Sequence, residues 1–457
     1  MDAATPDTSK TAAPPALVLF GTRRFLPLFV LFQTGSFNDN AIKQSLIWLV
    51  TFGGVVFLPG LDPSIRVPVA AFTFTAPFLL VCAVAGQIAD KVDRATVFRW
   101  VKRAELGIVA LAVAGILLDV FALLMVALAL MGAQSAFFSP TKNAVLPQYL
   151  TPRELIPGNA LLSGFGFVFI LVGQVAGLQL MGAEGTRAAF AAALGALAVV
   201  GWLAAEALPP AAAPSPELKV DYNPVTAIID VVREAVAIPP VLRPMLGIAW
   251  FYALSTVLVT VLPGYVSDVL RYQVAILIVC LVGSVLGILV GSLICAALGN
   301  LRLWGPEAVR LSTLGMGVVL VFSTDLFLSA PDSAAATLDA RADLAAFFAD
   351  AEGRRMFADI VAASIGSGLF VVPLQAMAQR RSPPALRARL MSAGAVLLNL
   401  AVNLVTVALI LIGLAALPPK APFLIIVVGA VPVLVYGLYR SFINPTRMDA
   451  AVEPAST

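Results

Sequence analysis

Stretches of apolar residues long enough to cross a lipid bilayer recur about twelve times along this 457-residue chain. A spanning helix needs about 20 such residues and a spanning strand only about ten, so runs of this length predict helices. They lie near residues 25–53, 66–89, 97–118, 120–146, 157–182, 187–208, 243–267, 272–298, 306–330, 357–379, 388–416 and 421–442. The sequence therefore predicts an all-α polytopic membrane protein with twelve transmembrane helices.

Composition narrows the function. Charged residues make up 12% of the chain, against about 25% in ordinary soluble proteins. The chain has no histidine, which removes the commonest general base and the commonest metal ligand. We therefore expect no enzyme, no metal and no cofactor, although a membrane hydrolase that uses carboxylates alone stays open. Cys82, Cys280 and Cys295 lie in apolar runs and are expected to be buried filler without disulfides.

Lysine and arginine predict the orientation. With the N-terminus in the cytoplasm, the cytoplasmic connections carry about three times as many of these residues as the others, and Lys102 and Arg103 are counted among them. The net charge of +3 therefore reflects topology, and we expect no nucleic-acid partner. The prediction is a multi-pass membrane protein with both termini cytoplasmic.

A proline-rich break between residues 208 and 241 divides the apolar pattern into two halves. It predicts a disordered cytoplasmic tail (1–22), a first six-helix bundle (23–208), a cytoplasmic linker (209–242), a second six-helix bundle (243–443) and a C-terminal cytoplasmic tail (444–457). Within the linker, Ile228 to Val236 fits either an amphipathic helix on the membrane surface or an ordinary solvated helix. The long loop from Pro331 to Met356 is expected to be a solvated cap.

The first apolar run contains an interruption, Asn38-Asp39-Asn40-Ala41-Ile42-Lys43, with two opposite charges at membrane depth. Such charges cost roughly 2.5–3.5 kcal/mol at the centre of a spanning helix and usually face a bundle interior or a water-filled cavity. At about 100° per residue, one arc of roughly 140° holds Gln33, Ser36, Asp39, Asn40, Lys43 and Gln44, and Asn38 lies outside it. A mutually neutralising Asp39–Lys43 pair that locks packing would explain the charges but not the other polar residues. The arc predicts a polar lining.

The end of the second run carries Gly86-x-x-x-Asp90-Lys91-x-x-Arg94. This sequence resembles the loop between helices two and three of the major facilitator superfamily, which latches the two halves together on the cytoplasmic side. A carboxylate at a helix end can meet the positive N-terminus of another helix, while the cations stay at the lipid headgroups. With twelve spans and a mid-chain linker, the resemblance implies the major facilitator fold, with these four residues as a conformational gate.

Three stretches resemble the bacterial lysophospholipid transporter family, and the likeness covers roughly residues 24–442. They are Phe37-Asn38-Asp39-Asn40 with Lys43, then Phe138-Ser139-Pro140-Thr141-Lys142 before Leu146-Pro147, and Gly368-Leu369-Phe370-Val371-Val372-Pro373-Leu374-Gln375. The nearest branch is the one fused to acyltransferase domains, whose first helix similarly carries an Asn-Asp-Asn followed by a lysine. The resemblance implies a protein of the bacterial inner membrane that moves lysophosphatidylethanolamine-like lipids across it to the cytoplasmic leaflet, where they are reacylated. A separate acyltransferase is a candidate partner, besides the surrounding membrane lipids, and we expect a monomer.

This cargo carries a phosphate anion and an ammonium cation, which Lys43 or Lys142 and Asp39 can match. The predicted substrate-binding residues are Asp39, Asn40, Lys43, Gln33, Ser36, Lys142, Gln375, Asn399 and Asn403. Lys142 could instead snorkel to headgroups, and the two asparagines could instead join helices. Some relatives carry an arginine in the seventh helix, where this chain has Ser255-Thr256-Val257-Leu258. Either Lys43 takes the role of phosphate partner, or the headgroup preference differs.

Two other functions stay open. A proton-coupled exporter of amphipathic small molecules would use the same fold, with Asp39 as its protonation site. A scaffold that only recruits an acyltransferase would need no polar helix face, so the arc on the first helix argues against it.

Overall fold

Twelve helices of 18 residues or more form two six-helix bundles in the computed structural model, which describes residues 16–55, 60, 62–151, 154–298, 309–331, 343–383 and 387–443. The first bundle contains α1 (Leu26–Thr51), α2 (Arg66–Lys91), α3 (Arg94–Leu117), α4 (Phe121–Tyr149), α5 (Leu155–Gly182) and α6 (Arg187–Glu206). The linker helix is α7 (Pro224–Val236). The second bundle contains α8 (Pro239–Gly264), α9 (Val274–Leu298), α10 (Val309–Ser329), α12 (Ala351–Arg381), α13 (Arg387–Leu414) and α14 (Ala421–Leu438), with a short α11 (Leu344–Ala349) before α12.

Ten of these helices are long and apolar enough to cross a membrane. The other two long helices, α1 and α3, each carry a group of polar and charged residues. α1 contains the interruption around Asp39, and α3 contains Arg99, Lys102, Arg103 and Glu105. Because polar side chains in a spanning helix usually face the bundle interior, we expect the polar residues of α1 and α3 to have partners inside the protein.

The helices in the structure begin earlier than two of the predicted boundaries. Residues 16–21, which the sequence placed in a disordered tail, form a 3-10 helix in which Leu19 is buried and Phe20 packs edge-on against Phe25 and Phe29. The second bundle begins at Pro239 rather than at residue 243, because a proline at the first helical position loses no hydrogen bond. The remaining parts of the two predicted tails, residues 1–15 and 444–457, lie outside the described residues.

The linker runs along one end of the first bundle, which we call the linker side. Asp93 caps α3 by accepting the N–H of Thr96 at 2.9 Å and also accepts the N–H of Ala211 at 2.8 Å. The N–H of Arg94 donates to the carbonyl of Ala211 at 2.9 Å. The connection between α2 and α3 is therefore tied to the linker through backbone atoms.

The linker helix α7 packs on both bundles. Ala227 is buried beside α2 and α13, and Ala235 is buried beside α8, α12 and α13. The opposite face leaves Val225 and Ile229 about half exposed. α7 is thus an amphipathic helix seated over the junction between the bundles rather than a free solvated segment.

The bundles meet along α2 and α13. Three contacts mark this seam from the far side to the linker side: Gly413 against Ile65, Asn403 against Thr75, and Gly86 against Ser392. α2 and α13 are therefore close along most of their length.

A second junction lies at the end away from the linker. Leu178 of α5 is fully buried in an apolar cluster with α8 and α9 residues, and Trp48 and Val175 pack against that cluster. The first bundle is thus also joined to the second near the far ends of α1 and α5.

Candidate functional site

The polar face of α1 is half-buried over most of its width and closed at one edge. Ser36, Asp39, Asn40 and Lys43 are half-buried, although Asp39 is the fourteenth of the 26 residues of the helix. Gln33 and Gln44, at one edge of the arc, are buried, with exposed fractions of 2% and 5%. The centre of this face is therefore the part accessible to a ligand.

Asp39 and Lys43 have different partners in the structure. The hydroxyl of Ser135 on α4 donates to Oδ2 of Asp39 at 3.1 Å. Nζ of Lys43 lies 4.8 Å from the centre of the Phe74 ring on α2, a cation–π contact. Among the ion pairs within 4.0 Å in the described chain, none joins Asp39 to Lys43. The two charges are held by neutral groups.

A glycine on α4 sets this geometry. A Cβ at Gly132 would overlap the carbonyl oxygen of Phe74, so only glycine lets α4 approach α2 this closely. Ser135 follows Gly132 by three residues and lies on nearly the same face of α4. The contact that fixes Phe74 under Lys43 therefore also brings Ser135 to Asp39.

The other side of the α1 face is turned toward α5. The side-chain amide of Gln174 donates to Oδ1 of Asn40 at 3.5 Å, and Asn40 donates to the carbonyl of Ser36 at 2.8 Å. Gln33 donates to the carbonyl of Leu162 at 3.3 Å, which places it in the α1–α5 contact rather than at the centre of the face. Asn38 is fully buried and donates to the carbonyl of Leu194 on α6 at 3.4 Å.

A chain of polar side chains leads from Asp39 into the first bundle. Ser135 donates to Gln134 as well, at 3.3 Å, and the amide of Gln134 lies 3.5 Å from Glu105 on α3. Glu105 pairs with Lys102 at 2.7 Å. This corrects the assignment of Lys102 as a boundary charge: its side chain is 0% exposed and lies inside the bundle.

Two small residues make room for Lys102. A Cβ at Gly35 of α1 would lie 2.9 Å from Nζ of Lys102, and one at Gly201 of α6 would lie 3.2 Å from the same atom. Both distances are shorter than an ordinary contact, so a buried ammonium fits between α1 and α6 because these positions lack side chains.

Lys142 lies beside α1 nearer the linker side. Its Nζ is 5.5 Å from the centre of the Phe32 ring, and the residue is half-buried. Phe32 packs with Phe98 and Phe138, and Lys102 lies 5.9 Å from the Phe138 ring on the inner side. Since Phe32 precedes Asp39 by seven residues, or about two helical turns, Lys142 is displaced along the bundle from the charges at the centre.

The structure does not place the three second-bundle candidates together. Asn403 bonds to Thr75 across the seam, and Asn399 donates to the carbonyl of Ala395 in its own helix at 2.8 Å. Gln375 is exposed near the linker end of α12. Asn403 is connected to the charged centre through α2, because its partner Thr75 directly follows Phe74, whose ring contacts Lys43.

The four predicted gate residues lie at the linker side of α2 and α3, and Gly86 faces the second bundle. A Cβ at Gly86 would lie 3.9 Å from the hydroxyl of Ser392 on α13. Asp90 pairs with Arg94 at 3.5 Å, and its carbonyl accepts the N–H of Ser215 in the linker at 2.9 Å. Lys91 is exposed. Gly86 thus lies in the α2–α13 seam, while Asp90 and Arg94 lie under the linker.

The second bundle contains a neutral cavity at its centre, with about 590 Å³ of atom-free space including its opening. Its polar lining consists of serines, Ser255, Ser284, Ser323, Ser364 and Ser367, among apolar residues. The lining of this cavity contains no charged residue, in contrast to the polar face of α1.

A family model described as the major facilitator superfamily matches residues 69–402. The chain belongs to the major facilitator superfamily. Its solved structural neighbours include an auto inhibited POT family peptide transporter, with a TM-score of 0.63 at 13% identity over 95% of this chain and 99% of that one. The POT family transporter PepTSo gives 0.62 at 12% identity over 92% and 99% of the two chains. The nucleoside transporter NupG gives 0.56 at 13% identity over 91% and 100%. No curated protein matches the sequence.

Membership in this superfamily points to a transporter rather than an enzyme, and the fold is that of the structural neighbours. Sequence reasoning missed two of this major facilitator's central residues, Ser135 and Gln134, because single polar residues in an apolar helix carry little signal. Lys102 and Glu105 could have been recognised, since opposite charges three residues apart share one helix face.

Proposed function

We propose that this major facilitator is a lysophospholipid transporter that moves lysophosphatidylethanolamine-like lipids across the bacterial inner membrane to the cytoplasmic leaflet. The observation that carries the proposal is the separation of Asp39 from Lys43. Each charge rests on a neutral partner, Ser135 and the Phe74 ring, so each is available to a ligand. A zwitterionic headgroup supplies the two missing counter-charges.

Charge matching gives the headgroup its orientation. The phosphate of the cargo would pair with Lys43 and its ammonium with Asp39, and neither charge would stay unpaired at membrane depth. Lys43 and Asp39 lie four residues apart on one face of α1, which is the spacing of neighbours on a helix. The serine-lined cavity of the second bundle adds neutral hydrogen-bonding groups but no competing charge.

The fold supplies the transport cycle. In a major facilitator the two bundles rock about a central site, which alternately opens to either side. The α2–α13 seam, with Gly86 at its linker end, is the contact that must loosen when the linker side opens. The acyl chain would remain against the apolar surfaces between the bundles, and a separate acyltransferase on the cytoplasmic side would reacylate the product.

The test is transport in liposomes containing the purified full-length protein. Lysophosphatidylethanolamine carries both charges, lysophosphatidylglycerol only the phosphate, and monoacylglycerol neither. Asp39→Asn should slow the transport of lysophosphatidylethanolamine and leave the transport of lysophosphatidylglycerol unchanged. Lys43→Met should slow both. Asp230→Asn with Arg233→Met, which removes an exposed pair on α7, is the matched control.

Unchanged movement of all three lipids in Asp39→Asn and Lys43→Met would refute the proposal, and so would equal loss for all three, which indicates a damaged fold. The neighbours' titles name peptides and a nucleoside, but likeness at 12–13% identity concerns the fold and not the cargo.

A second function has one observation in its favour. The polar chain of Asp39, Ser135, Gln134 and Glu105 has a carboxyl group at each end, and a carboxyl group can bind and release a proton. This arrangement suits a proton-coupled exporter of amphipathic small molecules. Uptake of an amphipathic cation driven by a pH jump, with no movement of lysophospholipid, would favour that function instead.

A further inference from the structure

We infer that the second bundle contains a separate binding site for a single-chain amphiphile with an anionic head, at its linker end. The site is an apolar cavity between α8, α10, α12 and α14, with three arginines around it: Arg243, Arg381 and Arg440. It shares no residue with the polar face of α1, and the inference does not depend on the proposed cargo.

The charges in this cavity are of one sign. Arg243 lies near the start of α8, Arg381 ends α12, and Arg440 lies just after α14. The lining contains no aspartate or glutamate. Nε of Arg440 is buried and has no hydrogen-bond partner among the described residues. Guanidinium groups arranged in this way match a carboxylate or a phosphate, which they bind through paired hydrogen bonds.

Below the arginines the cavity is apolar. Its walls include Met316, Phe370, Leu374, Met377 and Val433. The atom-free space is about 650 Å³, a figure that includes the open mouth. This shape suits a head at the membrane boundary and a chain pointing into the bundle.

The path for the chain continues deeper. Met316 and Phe370 also line the serine-containing cavity at the centre of the second bundle. These two side chains therefore separate one cavity from the next. Because methionine is flexible and adapts to its neighbours, a chain longer than the first cavity could extend past Met316.

The walls are fixed by contacts that do not involve a ligand. Ser312 of α10 donates to the carbonyl of Phe370 at 2.9 Å, and the hydroxyls of Thr313 and Ser441 lie 3.0 Å apart. A Cβ at Gly437 would lie 2.8 Å from Thr313, so α14 is held tightly to α10. The site is preformed, which lowers the cost of binding.

The experiment measures binding of labelled hexadecanoate to the full-length protein in a neutral detergent. The test variant is Arg243→Gln with Arg440→Gln, and the control is Arg233→Gln, whose side chain on α7 is 79% exposed and lines neither of the two cavities described in the second bundle. Loss of hydrogen bonds to a charged head predicts at least about tenfold weaker binding in the test variant and no change in the control. A photoactivatable hexadecanoate should label peptides containing Met316, Phe370 or Met377 in the unaltered protein, which tests the site independently of the variants.

Competitors identify the ligand chemistry. Competition by lysophosphatidate or by unlabelled hexadecanoate supports the site, and the stronger of the two indicates whether phosphate or carboxylate is preferred. Equal competition by a hexadecyl trimethylammonium cation would overturn the inference, since it indicates apolar partitioning alone. Equal competition by inorganic phosphate would overturn it as well, because no chain would then be needed. Unchanged binding in the test variant, or labelling confined to α1, would also rule out this site.

Discussion

Thr75 of α2 and Asn403 of α13 exchange two hydrogen bonds across the seam between the bundles. The hydroxyl of Thr75 donates to Oδ1 of Asn403 at 3.0 Å, and Nδ2 of Asn403 donates to the carbonyl of Thr75 at 3.2 Å. Thr75 follows Phe74, the ring that contacts Lys43. Two consecutive residues of α2 therefore connect the charged centre, through Phe74, with the seam, through Thr75.

Asn403→Leu should weaken this seam. The substitution removes both bonds between Asn403 and Thr75. Thr75 is half-buried and its hydroxyl keeps the carbonyl of Ala71 as an acceptor, so the cost is about 0.5–1.5 kcal/mol for each lost bond. We expect a lower melting temperature in detergent. Asn399→Leu, which removes a bond only within α13, is the control and should have a smaller effect. If Thr75→Val in the Asn403→Leu background causes the same further loss as it does alone, the two residues are not coupled.

Lys102→Met should be strongly destabilising, because it leaves Glu105 charged and unpaired inside the bundle. Breaking a buried ion pair from one side typically costs about 3–5 kcal/mol. Thermal unfolding with expression level as a second measure tests this, and Lys102→Met with Glu105→Leu should recover most of the loss. The control is Arg103→Met, which removes an exposed pair with Glu206 and should cost about 1 kcal/mol or less. Equal effects of the two single changes would contradict the burial of Lys102.

Gly35→Ala should destabilise the protein through the same lysine. The added methyl group would lie 2.9 Å from Nζ of Lys102, and the fully buried ammonium has little room to move. The matched change is Gly107→Ala on α3, where nothing lies within 4 Å and alanine favours the helix by up to about 1 kcal/mol. Melting temperatures should therefore move in opposite directions. A shift of the same sign in both variants would show that the space around Lys102 is not limiting.

The sequence predicted what depends on spacing within one helix. The positions of Ser36, Asp39, Asn40 and Lys43 on one face of α1 follow from helical periodicity, and the structure places all four at the accessible centre. Contacts between distant segments could not be predicted in this way. Thr75 and Asn403 are 328 positions apart, and nothing local to either residue indicates the other.

Lys102 shows a different limit. Counting cations near helix ends assigns it to the membrane boundary, since the count uses position in the sequence and ignores the direction of the side chain. Its burial depends on Gly35 and Gly201, which come from two other helices. The sequence could have predicted the pairing of Lys102 with Glu105 but not the burial of the Lys102 side chain.

The linker end of the seam should respond to the size of the residue at position 86. Gly86→Ala places a methyl group 3.9 Å from the hydroxyl of Ser392, an ordinary contact, and should be tolerated. Gly86→Leu should force α2 and α13 apart there. Spin labels at the exposed positions Lys91 and Arg380, one in each bundle, should report a longer distance in Gly86→Leu only. Identical distance distributions in the two variants would show that Gly86 does not hold the bundles together.

Phe74→Leu should impair recognition of the phosphate-bearing cargo while leaving the fold intact. The change removes the ring that holds Lys43, a contact worth about 0.5–2 kcal/mol, so KM for lysophosphatidylethanolamine should rise by about twofold to thirtyfold. Phe74→Tyr keeps an aromatic face and should retain the original KM. Phe72→Leu, at an exposed position on the same helix, is the control. Monoacylglycerol has no phosphate for Lys43, so its KM should stay the same in all three variants. A parallel rise for both lipids would assign Phe74 to packing, and positioning of Lys43 would no longer explain its place in the site.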